Sequence, residues 1–106
     1  MFGLFGPKNY EALNGKEFQQ RYKASPGAVL IDVRTAGEFR AGSIRGARNL
    51  DIMSPAFMQQ VEHLDKTKEY FLFCRSGSRS AQACNHMAKN GFKVFNLNGG
   101  VYDWPA

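Results

Sequence analysis

With 106 residues the chain has the length of one domain, and 43% hydrophobic residues, including nine Phe, can fill one modest core. Fourteen Lys and Arg against nine Asp and Glu give a net charge of +5, but the arginines share no helix face and form no basic block, which favours small anions or an acidic partner over nucleic acid. No run approaches the roughly 18 apolar residues of a membrane span, and two cysteines cannot build a disulfide framework.

Met1 to Pro7 is apolar, too short for a secretory core and without a basic start. Residues 1–9 are expected as an N-terminal arm ahead of a domain over residues 10–106. Asn14 and Glu17 have capping-box spacing, so a helix should run to about Lys23 with Phe18 and Tyr22 facing the core. Ser25-Pro26-Gly27 ends it. Ala28–Val33 is a continuous apolar run broken only by Asp32, the signature of a parallel strand covered on both faces. Such a carboxylate needs a partner, and Arg34, a loop arginine or loop amides are the candidates; Asp32 and Arg34 are expected to support the loop rather than supply a general base, since a carboxylate beside a thiolate would raise its pKa.

Thr35–Ala41 reads as a short helical turn, with Glu38 and Arg40 on its surface, and Gly46–Leu50 as a short strand. Ser54-Pro55 should start a helix running to about Leu64, turning Phe57, Met58, Val61 and Leu64 inward. Tyr70–Phe73 has the length and composition of a buried strand. A helix follows from Arg79 to Asn90, with Gly91 in the left-handed position beyond it and Ala81, Cys84, Met87 and Ala88 on its apolar face. Cys84 is thus expected in the core, and His63 and His86 on the surface. Val94–Leu97 is the last strand, and Asn98-Gly99-Gly100 a turn into a short segment with Tyr102 and Trp104. Alternating strands and helices argue for an α/β domain with a mainly parallel sheet.

The chemistry concentrates at Cys74-Arg75-Ser76-Gly77-Ser78-Arg79-Ser80, between a strand end and a helix start. Unpaired N–H groups at a helix N-terminus suit an anion. Gly77 lets the backbone curl, Ser76, Ser78 and Ser80 offer hydroxyl donors, and Arg75 and Arg79 add positive charge. A thiol placed there should fall from a free pKa of about 8.5 to about 3.5–7.5, because the surrounding dipoles and charges favour thiolate. Cys74 therefore reads as a nucleophile in an anion cradle, and a reactive thiol implies a reducing, cytoplasmic setting.

The run from Cys74 to Ser80 resembles the active-site loop of the rhodanese family of sulfurtransferases. Further matching pieces follow in family order: Leu30-Ile31-Asp32-Val33-Arg34, Glu38-Phe39, Gly42-Ser43-Ile44, Gly46-Ala47, and Gly99-Gly100 with Trp104. The likeness runs from about Tyr10 to Trp104. It implies a three-layer domain with a mainly parallel five-stranded sheet flanked by helices. It also implies transfer of a sulfane sulfur from a small anionic donor such as thiosulfate, through a Cys74 persulfide, to cyanide or a thiol.

Arg75 and Arg79 would orient the donor, the loop would hold the persulfide, and no metal or organic cofactor is needed. A monomer or weak dimer, acting without nucleic acid or membrane, is expected. The alternative is a persulfide relay or redox-sensing module fed by a partner protein. Phosphatases and arsenate reductases resemble Cys-x5-Arg, whereas Cys74 and Arg79 enclose four residues, a ring better suited to one sulfur atom. Two positions depart from the family pattern: Ser43 stands where histidine is common, and Arg45 where proline is common.

Overall fold

The computed structural model describes residues 9–106; the arm expected over residues 1–9 lies outside the described residues apart from Asn9. In chain order the elements are β1 (Glu11–Leu13), α1 (Gly15–Ala24), β2 (Val29–Asp32), α2 (Ala36–Ala41), β3 (Arg48–Asn49), α3 (Phe57–Glu62), β4 (Glu69–Phe73), α4 (Ser78–Lys89) and β5 (Lys93–Leu97), followed by a 3-10 turn, Val101–Asp103. The strands form one parallel five-stranded sheet in the order β1-β5-β4-β2-β3. This is the α/β sheet flanked by helices that the sequence led one to expect.

Strand alternation divides the core into two layers. Val29, Ile31, Tyr70, Leu72 and Val94 pack on one face with Phe57 and Val61 of α3 and Ala83, Cys84 and Met87 of α4. Leu30, Phe71, Phe73, Phe95 and Leu97 pack on the other with Phe18 of α1. There Phe18 and Tyr22 meet Phe71 edge-on at 5.4 and 5.6 Å between centroids. Because the alternation continues past the strand ends, Cys74 follows Leu72 onto the α3/α4 face. Asp32 follows Leu30 toward the α1 face. Parallel strands also bring their carboxyl ends to one rim, where Asp32, Cys74 and Asn98 gather.

The caps show how local sequence sets the helix limits. Asn14 Oδ1 accepts from the Glu17 amide at 2.9 Å, as expected. Beyond α4, Gly91 has φ +90°, Phe92 N–H donates to Met87 O at 3.1 Å, and Gly91 N–H donates to Ala88 O at 3.1 Å. This is a complete Schellman stop, with Phe92 and Met87 in the same apolar layer.

Five expectations need correction. β1 was absent from the sequence reading, since its three residues carry no apolar run and are held by pairing with β5. β3 is only Arg48–Asn49. α3 starts at Phe57 rather than at Ser54-Pro55, because Ser54 Oγ accepts from the Ala56 amide at 3.1 Å in a turn ahead of the helix. Two helical turns bury only a narrow stripe, which leaves Met58 outside at 49% exposure. On α4 the buried stripe is Ser80, Ala83, Cys84 and Met87, rotated from the one expected because Ser80 is drawn toward Cys74.

Candidate active site

Cys74 leaves β4 with its carbonyl accepting from the Val101 amide at 2.8 Å, so the nucleophile's backbone is tied to the C-terminal turn. The chain then folds back through Arg75 and Ser76 to Gly77, which caps α4 with φ +100°. A side chain at Gly77 would be strained by that angle and its Cβ would overlap the Asn98 carbonyl oxygen. The curl aims three donors at Cys74 Sγ: Gly77 N–H at 3.1 Å, Ser80 N–H at 3.4 Å and Ser80 Oγ at 3.4 Å.

Burial pushes the Cys74 thiol up, but hydrogen bonds from the Ser80 hydroxyl and from the Ser80, Gly77 and Ser76 amides outweigh it. They hold the thiol below its ordinary value. The residue is 1% exposed. The sulfur is thus enclosed by the loop whose amides and hydroxyl donate to it.

Ser80 Oγ has one proton and two acceptors, Cys74 Sγ and Gly77 O at 3.2 Å. An ionised sulfur accepts the hydrogen bond from that hydroxyl; a protonated one leaves it to the carbonyl. Gly77 O also accepts from Asn96 Nδ2 at 3.2 Å. Asn96 is 1% exposed, and its Oδ1 has no partner among the described residues. In the sequence Asn96 belongs to no motif, and its one visible signal is that it is a lone amide in the apolar run Val94–Leu97.

The two loop arginines differ. Arg75 is exposed and free of ion pairs among the described residues. Arg79, expected to bind the donor, makes a bidentate pair with Glu38: Nη1 donates to Oε1 at 2.7 Å and Nη2 to Oε2 at 3.0 Å. Glu38 is therefore not plain surface. It also closes a capping box on α2, its Oε1 accepting from the Thr35 amide at 3.1 Å while Thr35 Oγ1 accepts from the Glu38 amide at 3.2 Å. The Arg79 guanidinium and the Thr35 donors hold the Glu38 carboxyl at about 2. Ser76 and Ser78 are exposed at the loop surface.

Asp32 is fully buried and pairs with Arg34, accepting from its amide at 2.9 Å and its Nη2 at 2.8 Å. Arg34 Nη2 also donates to Gly42 O at 2.7 Å, and Ser43 Oγ donates to Asp32 Oδ2 at 2.9 Å. The pair thus fastens the 42–43 segment rather than the Cys74 loop. Ser43 completes it through that bond. Asn49 Nδ2, also passed over in the sequence, ties the segment further by donating to Asp32 O and Arg34 O at 3.0 and 2.9 Å. Cys84 is fully buried, and burial pushes its thiol up, so it lies in the core as expected. His63 bonds the Gln59 carbonyl and His86 neighbours Asn90; neither imidazole contacts Cys74.

Fold and loop define a class: a parallel α/β domain presenting one cysteine inside a ring of amides at the start of a helix. The family model described as the rhodanese-like domain matches residues 14–106, and the chain belongs to that family. A sulfurtransferase of Allochromatium vinosum is 32% identical over 94 residues, covering 87% of this chain and 85% of that one. The thiosulfate sulfurtransferase GlpE of Pseudomonas putida is 37% identical over 81 residues, covering 76% and 72% respectively. Among solved structures, a rhodanese-related protein from Thermoplasma volcanium superposes with a TM-score of 0.78 at 27% identity, covering 90% of each chain.

Proposed function

We propose that this protein is a sulfurtransferase that carries sulfane sulfur as a persulfide on Cys74. The observation that carries the reading is the convergence of Gly77 N–H, Ser80 N–H and Ser80 Oγ on one sulfur at the N-terminus of α4. The named activities of the relatives support the same class. In the first half-reaction the Cys74 thiolate attacks the outer sulfur of thiosulfate. A new S–S bond forms, the old one breaks, and sulfite leaves with the electron pair. In the second half-reaction a nucleophile such as cyanide takes the outer sulfur, and Cys74 departs as thiolate. Two steps through a covalent intermediate give ping-pong kinetics.

The donors around Sγ stabilise the anionic persulfide as an oxyanion hole stabilises its charge. Arg75 supplies the free positive charge that attracts the donor, while Arg79, paired with Glu38, holds the loop against α2. The four residues enclosed by Cys74 and Arg79 make a ring that favours transfer of one sulfur atom over hydrolysis of a phosphate ester.

The test is turnover of thiosulfate with cyanide in wild type and Cys74→Ser, with intact mass after thiosulfate alone. The expected result is one added sulfur atom on wild type and a loss of turnover of about 1000-fold or more in the variant, the scale of losing a covalent nucleophile. Loading without turnover would indicate a persulfide relay; no loading would overturn the proposal.

A further inference from the structure

Two clefts share part of their lining, and the smaller of them reaches Arg75 of the Cys74 loop. The larger, of about 520 Å³, is lined by Arg34, Gly42, Arg45, Val101, Tyr102 and Trp104 among others. The smaller shares Arg34, Ala41, Gly42 and Tyr102 with it and adds Glu38 and Arg75. Together they make one groove that passes from Arg75, next to the nucleophile, to Arg45. Its wall is joined to the site itself, because the Val101 amide donates to the Cys74 carbonyl at 2.8 Å.

The charges in the groove are unequally committed. Arg34 is spent on Asp32 and Gly42, and the Glu38 carboxylate is neutralised by Arg79. Arg45 and Arg75 are exposed and make no ion pair among the described residues. Between them Tyr102, 79% exposed, offers an aromatic wall. The groove thus has two free guanidinium groups and an apolar surface between them. Its volume fits a small organic molecule and far exceeds a four-oxygen-sized anion.

We infer that this groove binds the sulfur acceptor, and that the acceptor is a small thiol carrying carboxylates, with Arg45 as the residue that selects for them. This rests on the sulfur-transfer reading above. The acceptor's carboxylate lies on Arg45, its carbon skeleton on Tyr102, and its thiolate enters from the Arg75 end. That thiolate attacks the outer sulfur of the Cys74 persulfide. The bond to Cys74 Sγ breaks, Cys74 leaves as thiolate, and the acceptor departs as a persulfide, with no outside oxidant or reductant.

The test loads the protein with thiosulfate, removes excess donor, and measures discharge of the persulfide by mercaptosuccinate (two carboxylates) and by 2-mercaptoethanol (none). Intact mass reads loading and discharge separately. In Arg45→Gln the ratio of the two discharge rates should fall by about threefold or more, the size of one exposed charge contact. Arg45→Lys should restore it, and Arg45→Glu should push it lower still. Raised salt should shrink the wild-type preference. An unchanged ratio in the loaded Gln and Glu variants, or an equal slowing with both thiols, overturns the groove while leaving sulfur transfer standing. Failure of wild type to load overturns both.

Discussion

Cys74 combines burial with a lowered pKa, two properties that oppose each other in most thiols. Ser80 reconciles them, since its hydroxyl can turn from the Gly77 carbonyl to an ionised sulfur without moving the backbone. Replacing it with alanine leaves the Ser80 amide in place but removes that donor. In Ser80→Ala the thiolate midpoint, read from ultraviolet absorbance against Cys74→Ser, should move up toward an ordinary thiol. Sulfur transfer at neutral pH should slow by about tenfold or more, because a hydrogen bond to a charged group contributes ~1.5–3 kcal/mol. An unmoved midpoint would mean that the amides alone hold the charge. Asn96 acts one step behind Ser80: its buried amide fixes the carbonyl to which the hydroxyl returns.

Between elements, the tie that matters most to the site joins α2 to α4. Glu38 caps α2 with one oxygen and grips Arg79, in the first turn of α4, with both. Its carboxyl is depressed from 4.5 to about 2, so the folded state favours the ionised form. The stability it contributes is fully present above the unfolded value and is lost as pH falls through about 2. Urea unfolding of Glu38→Gln should show a loss of about 1 kcal/mol at neutral pH, modest because the pair is partly exposed. The gap from wild type should shrink as pH falls from about 4.5 to about 2, and a gap independent of pH would assign the effect to shape rather than charge.

This tie spans 41 residues and could not be seen in the sequence, where Glu38 reads as surface. The same is true of β1, which exists only because β5 pairs with it. Local signals were legible: the Asn14 cap, the Gly91 stop and the curled loop at Gly77 each follow from a few adjacent residues. What sequence hid was long-range contacts such as these, together with the phase of α4 and the start of α3.

At the scale of the molecule, the chain closes on itself at the nucleophile. The 3-10 turn fixes the Cys74 carbonyl through Val101. Asp103 Oδ2 accepts from the Gly15 amide at 2.7 Å, capping α1. Trp104 packs edge-on against Phe18 and Tyr22 at 6.2 and 6.3 Å. A chain ending at Gly100 loses all three, and its melting temperature should fall by about 4–8 °C per kcal/mol lost, the scale for a domain of this length. Persulfide formation should fall further than the folded fraction does; a parallel decline would show that the segment serves stability alone.

The uniform direction of the strands has one more consequence. Everything reactive stands on the carboxyl rim, while the turns at Gly27, Asp65–Lys68 and Asn90–Gly91 lie at the other end of the strands. The molecule therefore has a working end and a handle. Length, tethers or a joined neighbour can be accommodated on the handle without a change in what the sulfur feels.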